Sequence, residues 1–270
     1  MISDLMHNPV MTGGLIMGVV AAMALLNPAL HTSLTNVVPG VLGITPPAIE
    51  MANPAMLLMV ALQAGLAAID IHYIKTGVVT RTNYENAALK HGTCAVALMG
   101  AYMMHINTEP FTLFCAAFFG MMALWAKKAA AALGGVSAGV GVFTLNALTV
   151  EGFIAMAVGI TMMFTKMNLL AAILTPLGLT APAVAVSAPW DVLVPTLLMG
   201  LGMSRMHAGM HMPTIRDYNN AAVSSGTITA VVLVMFLLGR ATMDVVGMVL
   251  CMPAIMALWA FVSASMMIRL

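Results

Sequence analysis

Charge is what this sequence has least of. Of its 270 residues only 7% are Asp, Glu, Lys or Arg, while 61% are hydrophobic and the mean hydropathy is +1.01. A soluble domain carries roughly a quarter of its residues charged, so no water-facing surface can be assembled from this chain. It reads as a multi-pass protein of the cell membrane with the lipid bilayer as its solvent. A net charge of +1 without a basic stripe argues against nucleic acid as a partner. Aromatic residues are scarce at 6%, and no GxGxxG, P-loop or nucleophile elbow occurs, so no catalytic residue is assigned. Only three cysteines are present, Cys94, Cys115 and Cys251, all inside apolar runs and without CxxC spacing, which reads as packing. The first ten residues, MISDLMHNPV, hold Asp4 but no Lys or Arg. They lack the basic region of a cleaved signal peptide, so the first apolar run is expected to be kept.

What the sequence does have is itself, twice. Residues 82 to 93 read TNYENAALKHGT and residues 216 to 227 read RDYNNAAVSSGT, 134 positions apart with six of twelve identical. MALWA at 122 recurs at 256, GITPPA at 43 is echoed by GLTAPA at 178, and Gly65, Leu66 and His72 match Gly200, Leu201 and His207. Self-similarity at one long spacing marks a duplicated unit, here residues 1–134 and 135–270.

About 20 apolar helical residues cross the hydrocarbon, which predicts eight spans: 11–29, 51–71, 88–106, 111–127, 143–163, 189–206, 220–239 and 245–268. Four per unit is an even number, so the second unit enters from the same side as the first. The expected fold is an all-α polytopic membrane protein of about eight helices in two parallel four-helix repeats. Lys75, Arg81, Lys90, Lys127, Lys128, Arg205, Arg216 and Arg269 fall on the side shared by both termini, against Lys166 and Arg240 on the other. The positive-inside rule makes that side, and both termini, cytoplasmic. The Pro- and Gly-rich segments at 38–48 and 174–184 then face outward as short re-entrant or interfacial pieces.

Candidate chemistry is confined to a few positions. Twenty-nine methionines are spread along every span, which favours adaptable packing. The one dense His/Met cluster, His207, Met210 and His211 in MHAGMHM, keeps soft copper(I) ligation as an alternative, and otherwise no metal site is expected. Glu151, in LTVEGFIAM about two turns into the expected fifth span, is an acidic group at membrane depth, a candidate for cation coordination or proton relay. Asp70 ends the second span beside His72 and Tyr73, and its counterpart in the other unit is Arg205. Two readings stand: an ion pair between the units, or a carboxylate collecting Na+ or H+. In the repeated loops Asn83 and Asp217 suit helix starts. Tyr84 and Asn86, matched by Tyr218 and Asn220, suit either loop packing or a docking surface for a soluble partner.

The run Asp70-Ile71-His72-Tyr73, the stretch from Asn83 to Lys90-His91-Gly92, and the Met- and Gly-rich spans resemble the integral subunits of the tetrahydromethanopterin S-methyltransferase complex of methanogenic archaea. The specific likeness covers residues 65–93; the length and duplication are most similar to the C subunit of that complex. The second unit departs from the pattern by placing Arg205 where the first has Asp70. The resemblance implies a Na+-translocating methyltransferase in which a methyl group passes from methyl-tetrahydromethanopterin to a corrinoid on a partner subunit and on to coenzyme M. This chain would then be a non-catalytic subunit contributing to the ion path or its scaffold, among other membrane and soluble subunits. Lys75, Arg81, Arg205 and Arg216 would suit the approach of partners or of the coenzyme M sulfonate. The alternatives are an independent eight-span permease and a membrane anchor that conducts nothing.

Overall fold

The computed structural model describes residues 8–46, 54–75, 79–134, 145–165, 189–211 and 213–238. Among them there are helices and no strands. They are α1 (Pro9–Leu26), α2 (Pro28–Thr35), α3 (Val37–Val41), α4 (Pro54–Lys75), α5 (Arg81–Met103), α6 (Pro110–Ala132), α7 (Ala147–Phe164), α8 (Trp190–Met210) and α9 (Ile215–Leu237). Seven of the eight expected spans thus correspond to long helices, and the eighth, 245–268, lies outside the described residues. So do Cys251, Lys166, Arg240, Arg269 and the segment 174–184, while the side chain of Lys75 is likewise not described. Five of the helices, α1, α4, α6, α7 and α9, are long and apolar enough to cross a membrane.

The two remaining long helices are more polar for different reasons. α5 opens on Arg81, Glu85 and Lys90, whereas α8 is almost wholly enclosed by other helices and touches little solvent or lipid. A helix sheltered by protein on all sides has no lipid to satisfy. Large apolar side chains are instead exposed on the outer helices, among them Val19, Val96, Leu124, Phe153 and Val234.

Local signals set the boundaries. Asn8 caps α1 through Met11 N–H with Pro9 at its first position, and Asn27 caps α2 through Ala29 and Leu30. α2 and α3 account for residues 28–41, so the first Pro- and Gly-rich segment starts as helix and only then turns, with Gly43 at φ +71°. The repeated loops correct the expected helix starts. Thr80 and Thr214 are the caps, and Asn83 and Asp217 sit three residues later, completing capping boxes in which each side chain reaches back to the cap N–H.

α4 and α8, the second helix of each unit, form the middle of the bundle and pack against each other. α4 also carries α1 and α9, and α8 carries α7 and α5. Exchanging α4 for α8, α1 for α7 and α9 for α5 turns one set of contacts into the other. Each third helix therefore crosses to the opposite unit.

Glycines at matched positions permit these approaches. A Cβ on Gly65 would lie 2.4 Å from Ile228 Cγ1 and 3.1 Å from Ser224 O; a Cβ on Gly200 would lie 2.5 Å from Cys94 Sγ and 3.3 Å from Lys90 O. Each neighbour is the other's counterpart at a spacing of 134. Likewise a Cβ on Gly14 would meet Ala67 O and Ile71 N, and one on Gly152 would meet Gly202 O and Met206 N. Backbones at that distance tolerate only glycine, the small-residue packing of membrane helices.

Candidate functional site

Two clusters of buried charge lie at equivalent places near one end of the bundle, the end that the sequence assigns to the cytoplasm. In the first unit, Lys90 on α5 donates to both carboxylate oxygens of Asp70 on α4, at 2.7 and 2.6 Å, and both side chains are almost fully buried. Asp70 therefore does not pair with Arg205; the expected ion pair between the units is replaced by one between consecutive helices of one unit. His91 lies beside this pair, stacked on Phe119 at 5.8 Å between ring centroids, with neither ring nitrogen bonded among the described residues. A Cβ on Gly13 of α1 would stand 3.9 Å from Asp70 Oδ2 and 3.5 Å from His91 Nε2.

In the second unit the sign at the α4 position is reversed and the partner comes from elsewhere. Arg205 on α8 donates to Ala221 O at 2.8 Å and Ser225 Oγ at 3.0 Å on α9, and its Nε stands 3.6 Å from Glu151 Oε1 on α7. Because Gly152 takes the place of Gly14, Glu151 takes the place of Gly13. Lys90 and His91 are replaced by Ser224 and Ser225. Each cluster holds one acid and one base, as burial demands of charge in a low-dielectric interior.

The second pair is the looser one. Glu151 is only 4% exposed, and among the described residues its carboxylate is reached by the Ser225 hydroxyl alone besides Arg205, without a well-formed hydrogen bond, while Ser224 Oγ is buried with no partner among them. α7 begins at Ala147, capped by Asn146, so Glu151 lies little more than one turn into the helix rather than two. A carboxylate with spare acceptors is able to coordinate a cation; the saturated carboxylate of Asp70 is not, unless Lys90 leaves.

Most of the remaining candidates are engaged in contacts between helices. Tyr84, Asn86, Tyr218 and Asn220 are buried, so they offer a partner almost no surface. Asn86 donates to Tyr73 Oη at 3.0 Å, and His72 Nδ1 is hydrogen-bonded to Asn220 Oδ1, tying α4 to α9. Arg216 donates to Tyr73 O at 3.1 Å and lies 5.8 Å from the centre of its ring. Arg81 is held by Glu85 at 2.8 Å and by Gly134 O at 3.0 Å. The His207 and His211 rings meet edge to face at 4.3 Å with Met210 beside them, and the described residues contain no cluster of three or more His, Cys, Asp or Glu fit to hold a metal. Lys90 and Ser225 were not anticipated as site residues. Lys90 lies ten residues into the helix that begins at Arg81 and is almost fully buried, which the expected start of the span at residue 88 concealed.

Compared with known proteins, the chain matches no protein family, no curated protein and no solved structure.

Proposed function

We propose that this chain is a membrane subunit of a Na+-translocating methyl-tetrahydromethanopterin:coenzyme M methyltransferase, and that Glu151 is its ion-responsive group. The two-repeat, eight-span arrangement with cytoplasmic termini belongs to this reading; the matched glycine contacts support the repeat, while the span count and the side of the termini rest on apolar length and the placement of basic residues. The family assignment rests on the resemblance of residues 65–93, with a corrinoid expected on a partner subunit and none here. The single observation that carries the ionic role is the buried Glu151 carboxylate, loosely opposed by Arg205 at 3.6 Å and, among the described residues, otherwise approached only by the Ser225 hydroxyl. Arg205 keeps two other acceptors, Ala221 O and Ser225 Oγ, and so is held in place if the carboxylate turns to a Na+ ion. The guanidinium acts as a resident cation with which Na+ competes, so binding is weak and readily reversed.

Glu151→Gln in the assembled complex is expected to abolish Na+-dependent methyl transfer while leaving assembly intact; vesicles whose Na+ dependence is unchanged would sink the ionic role. Mass spectrometry of what copurifies tests the rest. A chain that is stable and active alone would overturn its place in a complex. A second reading, a non-conducting anchor, is favoured by the closed Asp70–Lys90 pair. It requires that Glu151→Gln leave transport untouched.

A further inference from the structure

The cytoplasmic ends of α5, α6 and α8 enclose a groove of about 750 Å³. Its walls are graded. Arg81, Lys127, His207 and His211 line the end nearest the helix termini, whereas Leu89, Leu124 and Met203, one to two turns further in, line the rest. Leu124 is 69% exposed and Leu89 42% exposed, so the deeper part opens sideways onto the surface that faces lipid. Glu85 also borders the groove, but Arg81 matches its charge at 2.8 Å, leaving the exposed Lys127 as the rim cation without a counter-charge among the described residues.

The duplication provides an independent comparison. At equivalent positions of the other unit the rim residues Arg81, Lys127 and His211 become Ile215, Phe261 and Thr76. The cationic rim is therefore particular to this groove rather than a general property of helix ends on the cytoplasmic side.

A cationic rim at interfacial depth over an apolar trough that opens sideways has the polarity of one molecule: an amphiphile with an anionic head and a hydrocarbon chain. We propose that this groove is a binding site for a single anionic membrane lipid, its phosphate at Lys127, Arg81 and His211 and an acyl chain along Leu124, Leu89 and Met203. Lys127 supplies the charge preference, and the trough supplies the chain contact that a free phosphate could not use.

The test uses the full chain with whatever subunits accompany it, exchanged into bilayers of phosphatidylglycerol mixed with phosphatidylcholine and read by native mass spectrometry. Selective retention of one phosphatidylglycerol is expected, falling about tenfold in Lys127→Gln and in Leu124→Trp, which blocks the trough. Lys128→Gln, also exposed but outside the groove, is expected to retain it; circular dichroism checks that each variant is folded. Equal retention of the two lipids, or folded Lys127→Gln and Leu124→Trp variants that retain phosphatidylglycerol as the parent does, would overturn the proposal. So would displacement of the lipid by millimolar glycerol phosphate, which would mark a soluble-anion site. A cross-link from Leu124→Cys to a neighbouring subunit would equally overturn it, by showing a protein helix in the groove.

Discussion

The Asp70–Lys90 pair and the Glu151–Arg205 pair occupy corresponding places on matched helices of the two sequence halves, yet hardly a charged position is shared. At the matched position of the second helix the sign is reversed. The compensating partner then comes from the third helix of the unit in one case and from the first helix in the other. Glycine-mediated contacts, by contrast, are preserved almost atom for atom. Backbone approach is fixed by sterics and changes only at the cost of the whole bundle. A buried charge needs only a partner of opposite sign within reach, and several neighbouring positions can supply one. The matched helices of the two halves therefore share the geometry of packing but not the placement of charge.

The comparison breaks most severely at the tight pair. Asp70→Asn leaves the Lys90 ammonium buried without its counter-charge, and removing one partner of a buried pair costs about 3–5 kcal/mol. Glu151→Gln should cost about 1 kcal/mol, because Arg205 retains Ala221 O and Ser225 Oγ and its carboxylate contact is only 3.6 Å. Thermal unfolding in one detergent measures both. The double variant Asp70→Asn with Lys90→Met should recover most of the loss. If the two acids prove equally costly to replace, the distinction between a closed and a loose pair is wrong.

Next in size are the glycines. Gly200→Ala and Gly65→Ala should each destabilise by about 1–3 kcal/mol through overpacking, against Cys94 and Ile228 respectively. Shaving the facing side chain, with Cys94→Ala or Ile228→Ala, should make the paired substitutions less than additive by a similar amount on both sides. Gly226→Ala, where an added methyl meets nothing within 4 Å, serves as the control. A large penalty at one glycine and none at its counterpart would show that the two crossings are not equivalent.

Much of the fold was legible because the bilayer restricts the possibilities. Apolar length located seven helices to within a few residues at most ends, although α5 starts seven residues before the expected Ala88 because its polar first turns carry no hydropathy signal. The duplication identified Gly65 and Gly200 as equivalent, but not that each third helix crosses to the other unit, since a repeat in sequence specifies equivalence and not partnership. For the same reason Asp70 and Arg205 were matched as a candidate pair although their partners lie elsewhere. Glu151 was visible as an apolar run interrupted by an acid. Its distance from Arg205 was not, because α7 and α8 are brought together by Gly152 and Gly202, residues that carry no charge to draw attention.

The smallest expected effect tests the symmetry where only a hydrogen bond differs. His72 and His207 correspond, as do Asn220 and Asn86. His72 Nδ1 is bonded to Asn220 Oδ1, whereas His207 Nδ1 and Asn86 Oδ1 are both buried without a hydrogen bond. His72→Ala therefore removes a bond that joins α4 to α9 and strands the carbonyl of Asn220, at a cost of about 1–2 kcal/mol beyond the packing lost. His207→Ala removes an Nδ1 that has no hydrogen bond among the described residues, so the corresponding bond is not lost. The two unfolding midpoints should differ in that order by a few degrees. Equal midpoints would mean that His207 and Asn86 close the corresponding bond in the membrane, which would bring the two units closer to true symmetry at this position than at their charges.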